Sequence, residues 1–366
     1  MSRDDFHDKP FDESTLTKLD IFELYVREWL PVFLKHPHRP EIHLYDFFSG
    51  PGTDSDGTFG SPLRILKQLQ DYRELIQSSG VTISVHLFDE DPDKIRTLEQ
   101  KIDQFGLRLP GIQFDVRPLA FAMAFQQASQ TLANPQAAKL LLIDQFGVDH
   151  VTESVFRQLA GAPTTDFLFF LSSSTLHRFR DHPAIKQKIT RPDDYYQVHL
   201  AALNYYRALL PSTQSNYFLS PFSIKKGSNI YGVIFGSAHP LGMDKFLQVA
   251  WAQDGVNGEA DFDIHRDHIQ RDQIRLPLAE FRPSKLRAFE SDLEQRLRAG
   301  RLANEADVVR VCFEHGVKRQ HATGVLKRLK DEGAIQLQFR VPNVRMKDPR
   351  PIRTTNPGQP TKSSKA

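Results

Sequence analysis

Five short apolar runs separated by helical stretches, followed by two more runs only four residues apart, leave this chain few ways to fold. The five are His43-Leu-Tyr-Asp-Phe-Phe48, Ile83-Ser-Val-His-Leu-Phe88, Ile112-Gln-Phe-Asp115, Leu140-Leu-Leu-Ile143 and Phe167-Leu-Phe-Phe-Leu171. Between them the sequence predicts helices from Pro62, from Asp91, from Phe121 to Leu132 and near Glu153 to Ala160. Runs of this kind are buried on both faces, and a helix between each pair makes the strands parallel in a doubly wound α/β sheet. Asn216–Ile224 and Asn229–Gly236 are joined by Lys225-Lys-Gly-Ser228, too short for a crossover helix, so they must pair antiparallel.

The chain has 366 residues, 40% hydrophobic with 27 Phe, enough for more than one packed domain. Leu16, Leu19, Phe22, Tyr25, Trp29 and Phe33 recur at helical steps and describe one amphipathic helix ending before Pro37. Residues 173–210 read as an insert between the fifth strand and the hairpin, rich in basic and aromatic side chains such as His177, Arg178, Arg180, Tyr195 and Tyr196. It either touches substrate or caps the sheet.

Helices are predicted near Ser284–Arg298, Glu305–Glu314 and Arg319–Glu332, before an apolar strand at Ile335–Phe339. This pattern resembles the recognition helix and first wing strand of winged-helix domains. Residues 301–366 carry fourteen Lys/Arg against six Asp/Glu, a net +8 that leaves −6 on residues 1–300. That asymmetry marks either a nucleic-acid contact, with Lys318, Arg319, Lys327 and Arg328 as phosphate-binding candidates, or a solvated basic end. The expected division is a helical segment 1–40, a cofactor-binding domain 41–282, a winged-helix-like domain 283–340 and a disordered basic tail 341–366.

The single cysteine, Cys312, excludes an internal disulfide and any multi-cysteine metal site of the chain's own. His265-x-x-His268 has a ligand-like spacing but no third ligand, so no metal is expected. No run approaches eighteen apolar residues and the polar, acidic start does not read as a signal peptide, which predicts a cytoplasmic protein.

Chemistry concentrates at the strand ends. Asp46 followed by Ser49-Gly50-Pro51-Gly52 places an acid before a small-residue turn, as a nucleotide-type cofactor requires for close backbone approach, although the turn could be only a tight loop. Phe88-Asp89-Glu90 ends the second run, and an acid there can accept from both ribose hydroxyls or favour the helix starting at Asp91-Pro92. Asp115 ends the third run and could cap a turn before Pro118. Asp144 follows the fourth run and could cap the next helix. Ser61 and Pro62 are expected as N-cap and first residue of their helix.

Five parallel strands and a terminal hairpin resemble class I S-adenosylmethionine (SAM)-dependent methyltransferases, with a Rossmann-like sheet over about residues 40–240. The resemblance implies SAM as cofactor, held by Asp46, Ser49, Gly50, Gly52, Asp89 and Asp115. In amino-directed nucleic-acid methyltransferases an Asp or Asn, two prolines and an aromatic follow the fourth strand. Asp144 and Phe146 match two of those roles as catalytic candidates, whereas Gln145 departs from the pattern. The Asp-Phe-Phe-Ser-Gly turn is also similar to that of cytosine-C5 methyltransferases, but Cys312 lies far from the position their nucleophile needs.

Tyr45-Asp-Phe-Phe-Ser-Gly-Pro-Gly52, Asp56-Gly-x-x-Gly-Ser-Pro-Leu63, Ile143-Asp-x-Phe-Gly147, Lys18-Leu-x-Ile-x-x-x-Tyr25 and Ile230-Tyr-Gly-Val-Ile-Phe-Gly-Ser-x-His-Pro-Leu-Gly242 together resemble the three-Cys-motif partner protein family, TcmP. That family is similar to SAM-dependent methyltransferases and is named for a bacterial partner with a radical-SAM-like three-cysteine motif. The expectation is therefore a SAM-dependent methyltransferase acting on nucleic acid, an amino group favoured as acceptor. The alternatives are a non-catalytic SAM-binding partner subunit of the three-cysteine protein that recruits DNA, and a regulator using only the winged helix.

Overall fold

The structure is a computed structural model that describes residues 9–35, 39–144, 150–171, 198–211, 217–227, 229–269, 283–339 and 346–355. The chain divides into two compact units, Met1–Gln253 with Glu259–Phe262, and Asp254–Gly258 with Asp263–Ala366.

In the first unit the order is α1 (Glu13–Leu34), β1 (Glu41–Asp46), α2 (Ser61–Asp71), α3 (Arg73–Ser79), β2 (Thr82–Asp89), α4 (Pro92–Gln104) and β3 (Ile112–Pro118). It continues α5 (Phe121–Ala133), β4 (Ala137–Ile143), α6 (Glu153–Gly161), β5 (Thr165–Leu171), α7 (Val198–Leu209), β6 (Phe218–Lys226), β7 (Asn229–Ser237) and α8 (Pro240–Gln253). The strands lie in the order β3-β2-β1-β4-β5-β7-β6. β1 to β5 are parallel, and β7 inserts antiparallel between β5 and β6. This is the parallel core with an antiparallel hairpin that the run spacing predicts, the arrangement of a Rossmann-like methyltransferase sheet.

All seven residues of β4, Ala137 to Ile143, are buried, as a central parallel strand covered on both faces must be. One face carries Tyr45, Phe47, Phe125, Phe156, Phe169 and Tyr206 in a single aromatic core. Elsewhere Tyr25 of α1, Phe235 of β7 and Phe246 of α8 pack together, the last two rings stacked at 4.5 Å between centroids.

α1 begins at Asp12, whose side chain accepts from the Thr15 N–H, and it runs through Pro31. α2 departs from expectation at its start. Its N-cap is Gly60, whose N–H reaches back to the Gly52 carbonyl at 2.8 Å, so Ser61 is already inside the helix. The loop before it is built on Asp54, which accepts from the N–H groups of Phe11, Asp56 and Thr58. Three backbone donors on one carboxylate hold its pKa below the usual range against the effect of burial.

The second unit contains α9 (Ser284–Arg298), α10 (Glu305–Glu314), a short 3-10 turn at Arg319–His321, α11 (Ala322–Asp331) and the antiparallel pair β8 (Ile335–Leu337) and β9 (Ile352–Thr354). Phe289, Leu293, Leu297, Val309, Cys312, Leu326 and Leu329 form its buried centre. Asn304 starts α10 with a reciprocal capping box to Asp307.

Two expectations about this region need correction. The basic end from residue 341 was expected to be disordered, but residues 346–355 belong to the fold. Arg350 meets the fully buried Glu305 carboxylate through its backbone N–H and its guanidinium, and Ile352 is buried where β9 pairs with β8. A buried carboxylate needs such a partner, and the proline-rich composition hides that long-range demand. The expected boundaries at 40 and 282 also differ from the compact units, because α1 packs within the first unit and that unit's main span closes at Gln253.

Gly236 of β7 lies opposite Phe167 of β5, and a methyl group there would sit 2.2 Å from the buried Phe167 ring. Gly236→Ala should therefore lower folding stability by about 1–3 kcal/mol through overpacking, read as a lower urea midpoint with an unchanged slope.

Candidate functional site

Because β1 pairs in parallel with both β2 and β4, their carboxyl ends fall side by side, with Asp46 in register with Leu87 and Leu142. Asp46 ends β1, Asp89 ends β2 and Asp144 follows β4. Three carboxylates from distant parts of the chain thus share one edge of the sheet.

Asp46 is fully buried. Burial pushes its pKa up, the Ser61 hydroxyl and the Phe48 N–H oppose this, and the charges of Asp144 and Asp89 add to the rise, leaving it at about 7. Its Oδ1 accepts the Phe48 N–H at 3.1 Å, while the buried Oδ2 has no hydrogen-bond partner among the described residues. An unsatisfied carboxylate oxygen in the interior calls for a donor.

The turn that follows is tied down by its own backbone. Ser49 N–H donates to the Phe88 carbonyl at 2.9 Å, and Ser49 Oγ donates to the Asp46 carbonyl at 3.1 Å. Gly50 and Gly52 hold φ at 58° and 89°, a region that favours glycine. A Cβ at Gly52 would also lie 2.9 Å from Leu98 Cδ1. Asp89 accepts the Gly50 N–H on Oδ2 and the Asp91 N–H on Oδ1, both at 3.0 Å, so its carboxylate staples the first turn to the second. The helix N-cap there is Asp91, which accepts from Asp93 and Lys94. Each Asp89 oxygen retains a lone pair for a hydroxyl donor.

Asp115 is not at this edge. β3 continues to Pro118, so Asp115 lies mid-strand beside His86, and its carboxylate is occupied by the Arg117 guanidinium and by His86 Nδ1 at 3.4 Å. The apolar run is interrupted at Asp115 because this stretch of the edge strand is only partly buried, and the sequence reading therefore ends the strand three residues early. At the true strand end, Leu119 N–H donates to the Asp89 carbonyl at 2.8 Å.

Asp144 meets a partner that the sequence reading did not assign to the site. Lys18 of α1 places Nζ 2.5 Å from Asp144 Oδ2, with 7% and 17% of the two side chains exposed. The same ammonium lies 4.7 Å from the centroid of the Phe170 ring. The signal was available: Lys18, Phe22 and Tyr25 share one face of α1, and a lysine on an otherwise apolar face needs a partner. Phe146 and Gln145 lie outside the described residues, as does most of the 173–210 insert.

A second group also escaped the sequence reading. The rings of Phe48, Phe121 and His150 meet at the strand ends, with Phe48 and Phe121 stacked at 5.6 Å and His150 5.1 Å from Phe48. His150 is shifted below its usual pKa by burial, partly offset by Glu90. Phe48 follows β1, Phe121 opens α5 and His150 precedes α6, and the sheet gathers the three together.

The basic residues of the second unit are only partly available. Arg328 is paired with Glu294 at 2.7 Å, and the Arg319 guanidinium lies over Phe313 at 5.7 Å. Lys318 is half-buried, which pulls its pKa down, whereas Lys327 and Lys330 are exposed. Among the described residues no group of three or more His, Cys, Asp or Glu could hold a metal ion, and no helix is long and apolar enough to cross a membrane.

No family model and no curated protein sequence matches the chain. Among solved structures it is similar to EvdMO1, at 12% identity and a TM-score of 0.31 over 61% of this chain and 42% of that one. A SAM-dependent methyltransferase from Agrobacterium tumefaciens matches at 10% identity and 0.33 over 62% of each chain. One from Aquifex aeolicus matches at 12% and 0.27 over 62% of this chain and 98% of that one. The chain thus spans less than two thirds of the first two. At these scores the likenesses carry no argument, and the fold rests on its strand order.

Lys18→Met should destabilise the protein by about 3 kcal/mol, because it strands the Asp144 carboxylate in a nearly dry position. Adding Asp144→Asn should recover most of that loss in denaturant unfolding, and additive losses would show that the two groups are uncoupled.

Proposed function

We propose that the first unit binds SAM at the Asp46–Gly52 turn and transfers its methyl group to an amino group of a nucleic acid. The observation that carries this reading is the buried Oδ2 of Asp46, without a hydrogen-bond partner among the described residues, at the strand edge it shares with Asp89 and Asp144. A cationic amino group is the donor such an oxygen accepts best, and SAM has one at its methionine end. Gly50 would let the turn approach the sugar and amino-acid portions, and Gly52 would let it pack against Leu98 and Leu63. Asp89 would take the ribose hydroxyls while keeping its two backbone N–H bonds.

SAM supplies a methyl group on a positively charged sulfur. The protein's part is positioning. Asp144 Oδ1 would accept from the acceptor amine while Oδ2 stays with Lys18, and Phe146 would stack on the base. Phe48 and His150 would help exclude water from the edge. Exposed Lys327, with Lys318 and Arg319, would meet phosphates from a three-helix unit whose β8–β9 pair resembles a wing. Arg328 would join them only by leaving Glu294.

The motifs of the TcmP family support membership in it, and with it a radical-SAM-like three-cysteine protein as partner and a cytoplasmic location. A second reading, a non-catalytic SAM-binding subunit of that partner, is favoured by the Lys18–Asp144 pair, since the carboxylate expected to hold the acceptor already has a cation.

Titration calorimetry with SAM and S-adenosylhomocysteine should give saturable micromolar binding that Asp89→Ala and Gly50→Val each abolish. Asp46 must ionise to hold a cation and its pKa stands at about 7, so SAM affinity should rise with pH up to about 7 and level above it. Binding should release a proton near pH 6, and Asp46→Asn should remove that release. In the free protein the same raised pKa makes Asp46 favour folding most at low pH. That contribution is lost as pH climbs through about 7, because the unfolded chain gives up its proton first.

Transfer of labelled methyl from SAM to DNA or RNA should fall at least tenfold in Asp144→Ala with little change in SAM affinity. Retained SAM binding with no transfer to any nucleic acid, alone or with the three-cysteine partner, would establish the non-catalytic reading.

A further inference from the structure

Midway along β1, β2 and β3, two histidines form an unbroken line of polar contacts across the three strands. His43 of β1 and His86 of β2 stand 3.1 Å apart, Nδ1 to Nε2. Their outer nitrogens face carboxylates: His43 Nε2 lies 3.5 Å from Glu41 Oε2, and His86 Nδ1 lies 3.4 Å from Asp115 Oδ2 of β3. The ring planes are within 19° of each other and the centroids 5.4 Å apart, so the two inner nitrogens point at each other end to end. The Tyr45 ring stacks on His86 at 4.2 Å, and the two imidazole side chains are only 14% and 17% exposed.

This line has three gaps and too few protons. Ionised carboxylates only accept, so each end gap needs an N–H from the histidine beside it, and the gap between the rings needs one N–H and one lone pair. Two neutral imidazoles carry two N–H groups between them. If His86 donates to Asp115 and His43 donates to His86, a His43 lone pair is left facing Glu41. If each ring donates to its carboxylate instead, two lone pairs meet between the rings. One further proton fills all three gaps at once, as an imidazolium beside a neutral imidazole between two carboxylates. A metal ion does not fit there, because nitrogens aimed along one line at 3.1 Å leave less than the about 2 Å that each metal–nitrogen bond needs. A second proton sets two cations against each other.

The surroundings decide the pH of each step. Glu41 and Asp115 favour charge on the pair, whereas Lys139 of β4 opposes it on His43 and Arg117 of β3 opposes it on His86. Asp115 is shared with the Arg117 guanidinium at 2.8 Å, and Asn134 Nδ2 donates to Glu41 at 3.2 Å. Among the described residues α5 presents neutral groups here, Gln127 to Arg117 and Thr131 to Tyr45. Burial is the largest effect and lowers both rings below the ordinary imidazole value, and for His86 the charge on His43 lowers it further, to about 4. The two protons are therefore taken up in separate steps, the first below pH 6.5 and the second near pH 4. Because both values are depressed, the pair favours the folded state fully above pH 6.5, and that contribution is lost as pH falls toward 4.

We propose that His43 and His86 are an acid-sensitive staple between β1 and β2, which holds a single shared proton between two carboxylates and is forced apart by a second. The assignment is independent of the SAM site, since it uses none of the residues at the carboxyl ends of β1, β2 and β4.

Ring-nitrogen NMR on the full chain labelled with nitrogen-15, titrated downward from neutral pH, tests the proposal. The first proton should move the nitrogen shifts of both rings at one common pH, and the second step should follow near pH 4. In His43→Gln the His86 midpoint should rise by about one pH unit, because the repelling charge is gone. Through the second step, amide hydrogen exchange corrected for the pH dependence of free amides should accelerate about tenfold more in β1 and β2 than in β7. Separate titration of the two rings at ordinary imidazole values, or equal exchange in all three strands through the second step, would overturn the proposal. Both of those readings come from the unaltered protein, so the test stands should the variant fail to fold.

Discussion

The parallel pairing of β1 with β2 on one side and β4 on the other is the constraint from which the candidate site follows. Parallel strands point their carboxyl ends the same way, so whatever follows each strand must meet its counterparts at one edge. Here three of those positions are carboxylates. Their proximity is visible in the physics of Asp46, whose proton is held partly by the charges of Asp89 and Asp144. Backbone bonds then knit the loops into one surface: Ser49 to Phe88, Gly50 and Asp91 to Asp89, Leu119 to the Asp89 carbonyl. The loops are bonded to one another as well as to the strands that carry them.

α1 depends on the same sheet and serves both of its ends. Its buried face carries Lys18, which meets Asp144 at the carboxyl edge, and Tyr25, which donates to Asp166 where β5 begins. Its polar side is tied to α2, where Arg64 bridges Asp20 and Glu23. Each contact alone is modest once desolvation is counted, but all of them require the same seating of the helix. A helix held in this way lines a cavity around Trp29 and reaches Asp144 at the other end of the strands.

Several proposed site residues stand next to a recognisable strand end followed by a glycine turn or a helix start. Asp46, Ser49, Gly50, Gly52 and Asp89 belong there, since a buried run that stops at an acid leaves little freedom about where the acid lies. Asp115 was misplaced because β3 is an edge strand whose last residues are polar, so its apolar run stops before the strand does. Lys18 was seen as part of a motif but not as a site residue, and the Phe48–Phe121–His150 cluster was not seen. Nothing local distinguishes such residues until separate strand ends and a helix start are brought within contact.

The sequence alone determined the alternation of strand and helix, the reversal forced by four residues at Lys225–Ser228, the glycine turn after Asp46 and the three helices near the carboxyl end. These are local properties, set by periodicity, chain length and backbone freedom. Only the tertiary structure decided that Lys18 neutralises Asp144, and that Arg350 and β9 complete the second unit by satisfying Glu305. Pairings across more than forty residues depend on which buried charges and donors the packed sheet strands, and that is a property of the assembled core.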